Sequence, residues 1–220
     1  MRRGHAVAPE GRRSKHMHAG PSSGRTESRS LARFVSLLRE PERLATEVLE
    51  EWCGAPVTVE VRHRADGRLL IPAAERTFSR GSAQAEGDAF LPPERVAELM
   101  WLSTGARVQF RTVHLRAGTD KVVTASAVVA LDRISPEERA VLSTTNTPLG
   151  PALAAGGGVR RVMVTSFEPT RLEPAVRPPG DADAPVLTVT ALLCRGTVPV
   201  GLVRETFLRS LLDWDDVHDA

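Results

Sequence analysis

From residue 31 onward the apolar positions follow two rhythms. In LARFVSLLRE, Leu31, Phe34, Val35 and Leu38 recur at helical spacing, with Ser30 placed to cap the first turn and Pro41 to stop or restart the helix. PERLATEVLEEW repeats the pattern with Leu44, Val48 and Leu49 inward, and Gly54 closes it. The rhythm then changes to two. In PVTVEVRHR, Val57, Val59 and Val61 point one way and Thr58, Glu60 and Arg62 the other, as in a half-buried antiparallel strand. Asp66-Gly67 reads as a turn, and LPPERVAELMWL as a short helix entered through proline and ended by Gly105. ARVQFRTVHLR and KVVTASAVVAL are strands joined across AGTD, with Val108, Phe110 and Val113 expected inside. DRISPEERAVL is a helix with Ser135 as its cap and Pro136 in its first turn. VRRVMVTSF is a strand, EPTRLEPAVRPPGDADAP a proline-rich surface loop, and VLTVTALLC with VPVGLVRETFL a hairpin across RGT.

Strands joined by short turns, without helical crossovers, predict an α+β fold: a single antiparallel β-sheet of about six strands with helices packed on one side. Residues 31–212 form the domain. Residues 1–30 carry seven Lys/Arg, two Glu and almost nothing to bury, so they read as a disordered basic tail. Residues 213–220 read as an acidic, fraying end.

Composition narrows the function classes. A length of 220 residues suits one well-buried domain plus a tail. A net charge of +2 gives no reason to expect nucleic acid. No apolar run approaches the ~18 residues of a membrane span, and Arg2-Arg3 and Arg12-Arg13 lack the apolar stretch of an export signal, so a cytoplasmic protein is expected. The 27 Arg against 2 Lys read as the codon bias of a GC-rich genome. Cys53 and Cys194 read as buried thiols, no CxxC exists, and the six His are scattered, so no metal site is expected. There is no nucleophile elbow, Walker loop or dinucleotide fingerprint.

Three features remain as candidate chemistry. Arg111, in VQFRTVHL, is either a surface residue on the polar face of its strand or an anion holder facing a cavity; the strand alone favours the first. Glu205, in VGLVRETFL, is either an exposed partner of Arg204 or a buried carboxylate able to carry a proton. The stretch TTNTPLGPALAAGGG, residues 144–158, has no charge. Pro148 fixes its own φ and Gly150 permits a left-handed backbone, so Leu149 between them could present its N–H in a set direction. An ordinary loop closing a helix is the alternative.

ASAVVALDRISPEERAVLSTTNTPLGPALA, with RTVHL before it and VPVGLVRETFLRS after it, resembles the bacterial chorismate pyruvate-lyase family, in particular its actinobacterial branch. ERLATEVLEEWCGAPVTVEV is similar to that family's opening helix and first strand. The resemblance implies a chorismate lyase-like fold with an internal ligand pocket. It implies a lyase that eliminates pyruvate from chorismate to give 4-hydroxybenzoate for secondary metabolism, without a cofactor. It also admits a non-catalytic binding module or sensor for a small aromatic acid. The implied partner is a small molecule, chorismate or a similar aromatic carboxylate; monomer and homodimer both stay open. Carried over, Arg111 would bind the ring carboxylate, Leu149 and Gly150 would offer backbone to an anionic group, and Glu205 would sit by the transferring proton. Thr46 would line the pocket. Ser126 stands where enterobacterial members carry a second substrate arginine, and VLTVTALLC is uncharged where the family's strand is rich in arginine. Arg160, Arg161 and His114 are the candidates left for the second carboxylate.

Overall fold

The computed structural model describes residues 23–40, 43–71, 90–154, 157, 159–163, 168–169 and 181–217. Residues 1–22, the part 170–180 of the proline-rich loop and the last three residues lie outside the described residues. The helices are α1 (Ser23–Leu38), α2 (Ala45–Cys53), α3 (Pro93–Met100), α4 (Pro136–Thr144) and α5 (Leu149–Ala154). The strands are β1 (Val57–Arg68), β2 (Arg107–Ala117), β3 (Asp120–Ala130), β4 (Arg160–Met163), β5 (Glu168–Pro169), β6 (Pro185–Arg195) and β7 (Val198–Leu208). All pair antiparallel in one sheet of order β1-β2-β3-β7-β6-β4, with the short β5 paired to β6.

Alternation assigns each strand residue to a face. On one face, Leu115, Ala125, Val189, Val203 and Phe207 meet Phe34 and Leu38 of α1 and Val48, Leu49 and Trp52 of α2. Phe34 anchors that core edge-on between Trp52 and Phe207, with ring centroids 5.2 and 5.1 Å away. Further along the same face, Val129 and Leu193 receive Leu142 of α4 and Ala152 and Leu153 of α5. The other face carries Val108, Val128, Ala130 and Leu202, and there α3 packs Val96, Ala97 and Met100. Four helices therefore share the first face, and α3 covers one end of the second.

Several local expectations change. Ser30 is a buried interior residue of α1, which starts seven residues earlier at Ser23, so it caps nothing. Asp66-Gly67 is not a turn: both residues lie within β1, paired with Gln109 and Val108. Helix α3 ends at Met100 through Trp101, held left-handed at φ 51° with its N–H capping, before Gly105 is reached. Residues 209–217 form a 3-10 helix in which Leu211 is buried and its carbonyl accepts the Trp52 indole N–H at 3.1 Å. Gly54 does close α2 in the left-handed region, and Ser135 does cap α4, accepting from the N–H of Glu138 at 3.2 Å.

Candidate functional site

The sheet face beneath the helices reads as parallel rows. One row runs Arg64, Arg111, Ala127, Val203, Ala191 from β1 to β6; the next runs Val61, Val113, Ala125, Glu205, Val189; the third ends its middle with Phe207. Phe207 fills the space under α1 and α2. In the first two rows the central positions are alanines, too short to reach the helices, and a cavity of about 60 Å³ is left. Its floor is Val59, Arg111, Val113, Leu115, Ala125, Ala127, Leu193, Val203 and Glu205, and its roof is Leu44–Thr46 at the start of α2 and Pro148–Gly150 at the start of α5. The void is smaller than the ~150 Å³ cavity that holds a benzene ring. A ring-sized guest must displace part of the roof, whose residues Leu44, Thr46 and Leu149 are only half-buried.

Arg111 and Glu205 thus stand on one face, two strands and one row apart, roughly 12 Å between Cα atoms from the sheet spacings. Arg111 is 3% exposed, and among the described residues Nε, Nη1 and Nη2 all lack a hydrogen-bond partner. Burial, and secondarily the charge of Arg64, push its pKa down to about 10. It is therefore still a cation at neutral pH, desolvated and unsatisfied, in a chamber whose lining is otherwise almost wholly apolar. Such a charge is costly without an anion. Glu205 is buried at 6% exposure.

Arg64 stands beside this site, opposite Arg111, and was not visible in the sequence. Val59 and Val61 face the cavity side, and regular alternation would send Arg64 to the opposite face. An extra residue between Val61 and His63 makes a β-bulge, after which Arg64 lies directly opposite Arg111. Its two Nη atoms donate to the carbonyls of Ser143 and Thr145, the latter at 2.6 Å.

Gly150 fits for a different reason from the one expected. Its backbone is not left-handed. Instead, a Cβ there would lie 2.6 Å from Leu44 Cδ1 and 3.2 Å from its Cγ, so only glycine lets α5 approach α2 this closely. Gly150→Ala is expected to push Leu44 aside, cost about 1 kcal/mol in thermal unfolding and weaken ligand binding several-fold. Leu149 begins α5 and lines the roof, and Thr46 lines it from the other side.

Ser126 is not at the site. It pairs with Thr112 and Arg204, one position out of phase with Ala125 and Ala127, and so points to the opposite face. His114 shares that far face, its Nδ1 3.8 Å from Glu60 Oε2. The side chains of Arg160 and Arg161 are outside the described residues. Among the described residues no three His, Cys, Asp or Glu side chains converge as metal ligands, and no helix is long and apolar enough to cross a membrane. Burial raises the Cys53 thiol to about 12, which leaves it inert near neutral pH.

No family model and no curated protein matches this chain. Solved structures do. The effector domain of PhnF from Mycobacterium smegmatis is similar at a TM-score of 0.50 and 15% identity, over 76% of this chain and 89% of that one. The C-terminal domain of the histidine utilization repressor from Pseudomonas syringae pv. tomato str. DC3000 follows at 0.43 and 15%, over 70% and 92%. The transcriptional regulator (GntR family) from Enterococcus faecalis V583 is at 0.44 and 12%, over 70% and 94%. The first of these likenesses is one of fold, and the fold is the α+β arrangement with one open antiparallel sheet expected of a chorismate lyase-like domain.

Proposed function

We propose that this chain is a small-molecule-binding domain whose ligand is a compact carboxylate with an apolar, ring-sized body. The observation that carries this reading is Arg111: a buried guanidinium with no hydrogen-bond partner among the described residues, facing a cavity bounded mostly by aliphatic side chains. A carboxylate is the anion whose two oxygens match the guanidinium fork. The apolar lining suits an aromatic ring, and Thr46 and Glu205 are the polar groups left to meet a second substituent. The fold shared with an effector domain points the same way.

The second reading is catalysis, and Glu205 favours it. Conversion of chorismate to 4-hydroxybenzoate breaks the ether C–O bond, removes one ring proton and delivers a proton to the enolpyruvate methylene. A buried carboxyl on the same sheet face as the carboxylate-holding arginine is a group able to relay that proton. Orientation in a closed chamber can supply much of the remaining rate.

One pair of measurements separates the readings. Calorimetric titration with 4-hydroxybenzoate reports binding, and a coupled pyruvate assay with chorismate reports turnover. The binding-domain reading expects heat on titration and no pyruvate at micromolar protein. Pyruvate release abolished by Glu205→Gln would replace it with the lyase. If neither ligand binds, the carboxylate assignment falls.

A further inference from the structure

We propose that Arg64 is a positioning residue: a latch that holds the roof of the cavity down on the sheet and tightens when an anion sits on Arg111. Four observations meet at this side chain. The β-bulge turns it onto the cavity face opposite Arg111. Its guanidinium reaches across to a different element, donating to the carbonyls of Ser143 and Thr145. Its Nε is buried and has no hydrogen-bond partner among the described residues. Its charge depresses the pKa of Arg111, so the two cations feel each other.

The carbonyls explain the attachment. The end of α4 presents unsatisfied oxygens and the negative pole of the helix, where a cation is favoured. From Thr145 the chain runs only to Pro148, Leu149 and Gly150, which form half of the roof. Among the described residues the other hydrogen bonds of the segment are local: the N–H of Thr145 donates to Val141 O at 2.9 Å, Thr145 Oγ1 lies 2.8 Å from both Val141 O and Thr147 Oγ1, the N–H of Thr147 donates to Thr145 Oγ1 at 3.2 Å, and that of Ala152 to Pro148 O at 3.0 Å. Arg64 thus ties this segment to the β1 edge of the floor.

The neighbouring charge makes the latch responsive. Like charges directly opposite across a strand pair repel. Arg64 holds its two carbonyls against that repulsion, which sets a cost on keeping both cations on one face. A carboxylate on Arg111 cancels it, so occupancy settles Arg64 and clamps residues 145–150. This coupling rests on Arg111 being the anion site; the latch itself does not.

Hydrogen exchange on the full chain tests both parts. Without ligand, Arg64→Met is expected to speed exchange of the amides at 145–152 by about tenfold and to leave the amides of β3 and β7 as they are. Arg64→Lys, which keeps the charge and can reach one carbonyl, is expected to fall between. Unchanged exchange at 145–152, or equal acceleration throughout the sheet, overturns the latch. With millimolar benzoate, the wild type is expected to slow further at 145–152 and Arg64→Met to show no such slowing while binding benzoate about tenfold more weakly. Slowing of the same size in both proteins overturns the coupling. If the wild type binds no benzoate, the anion-site reading fails and with it the coupling, while the ligand-free comparison still decides the latch.

Discussion

Arg111→Met is expected to unfold at a higher temperature than the wild type and to bind no carboxylate. The guanidinium is buried and unpaired among the described residues, and its pKa has fallen from 12.5 to about 10. The fall means that the folded state carries the charged form of this group at a cost. Methionine keeps an unbranched stem of similar volume and carries no charge, and exchanging buried ions for apolar residues commonly stabilises by about 1–4 kcal/mol. For a chain of this size each kcal/mol is worth about 2–4 °C. The pH dependence has a definite sign. Above about pH 10 the folded protein gives up the Arg111 proton before the unfolded chain does, so native stability gains from this group as pH rises. The advantage of the methionine variant is therefore constant below about pH 10 and shrinks above it. Benzoate affinity of the wild type follows the same proton, level at neutral pH and falling about tenfold per unit once Arg111 discharges. Thermal melts and titrations across that range check all three expectations. A variant that melts lower would show that Arg111 is already compensated without ligand.

Glu138→Ala is expected to do the reverse. Glu138 is fully buried, takes the Arg195 guanidinium at 2.5 Å and accepts the N–H of Ser135 at 2.8 Å as the return half of the capping box. Removing it leaves Arg195, among the described residues, with the carbonyls of Leu153, Gly157 and Arg133, and takes away the return half of the α4 capping box while Ser135 still caps the N–H of residue 138. Breaking a buried pair costs about 3–5 kcal/mol, and here the lower end applies because Arg195 keeps some solvent. A loss of about 3 kcal/mol would lower the melting temperature by about 6–12 °C. Binding at Arg111 should survive at temperatures where the variant stays folded. Two buried charges thus differ in sign because one already has its partner and the other awaits it.

The long periodic strands were legible. Alternation over RVQFRTVHL and KVVTASAVV places β2 and β3 within a residue of their ends, because their partners on both sides enforce period two. The capping box at Ser135 was legible because it is local chemistry. Arg111 and Glu205 were found as candidates, but the strand pattern alone could not put them on one face, since that depends on the register of β2, β3 and β7 across intervening alanines. Ser126 went astray for the same reason: a one-residue phase difference reverses the face. The start of α1 was hidden by a polar composition, SGRTESRS, whose helical state no apolar stripe announces. Arg64 was hidden twice, by a bulge that breaks the alternation and by a hydrogen-bonding partner about eighty residues away.

The bulge between Val61 and His63 also sets how this chamber can vary by descent. It shifts the reading frame of inward positions by one place without moving the neighbouring strand. In a relative whose first strand lacks the added residue, the inward cation would stand one position nearer the amino terminus than Arg64 does, where a gapless comparison would show a mismatch. Conversely, excising Arg62 alone should straighten the edge and leave the pair of guanidinium groups facing each other.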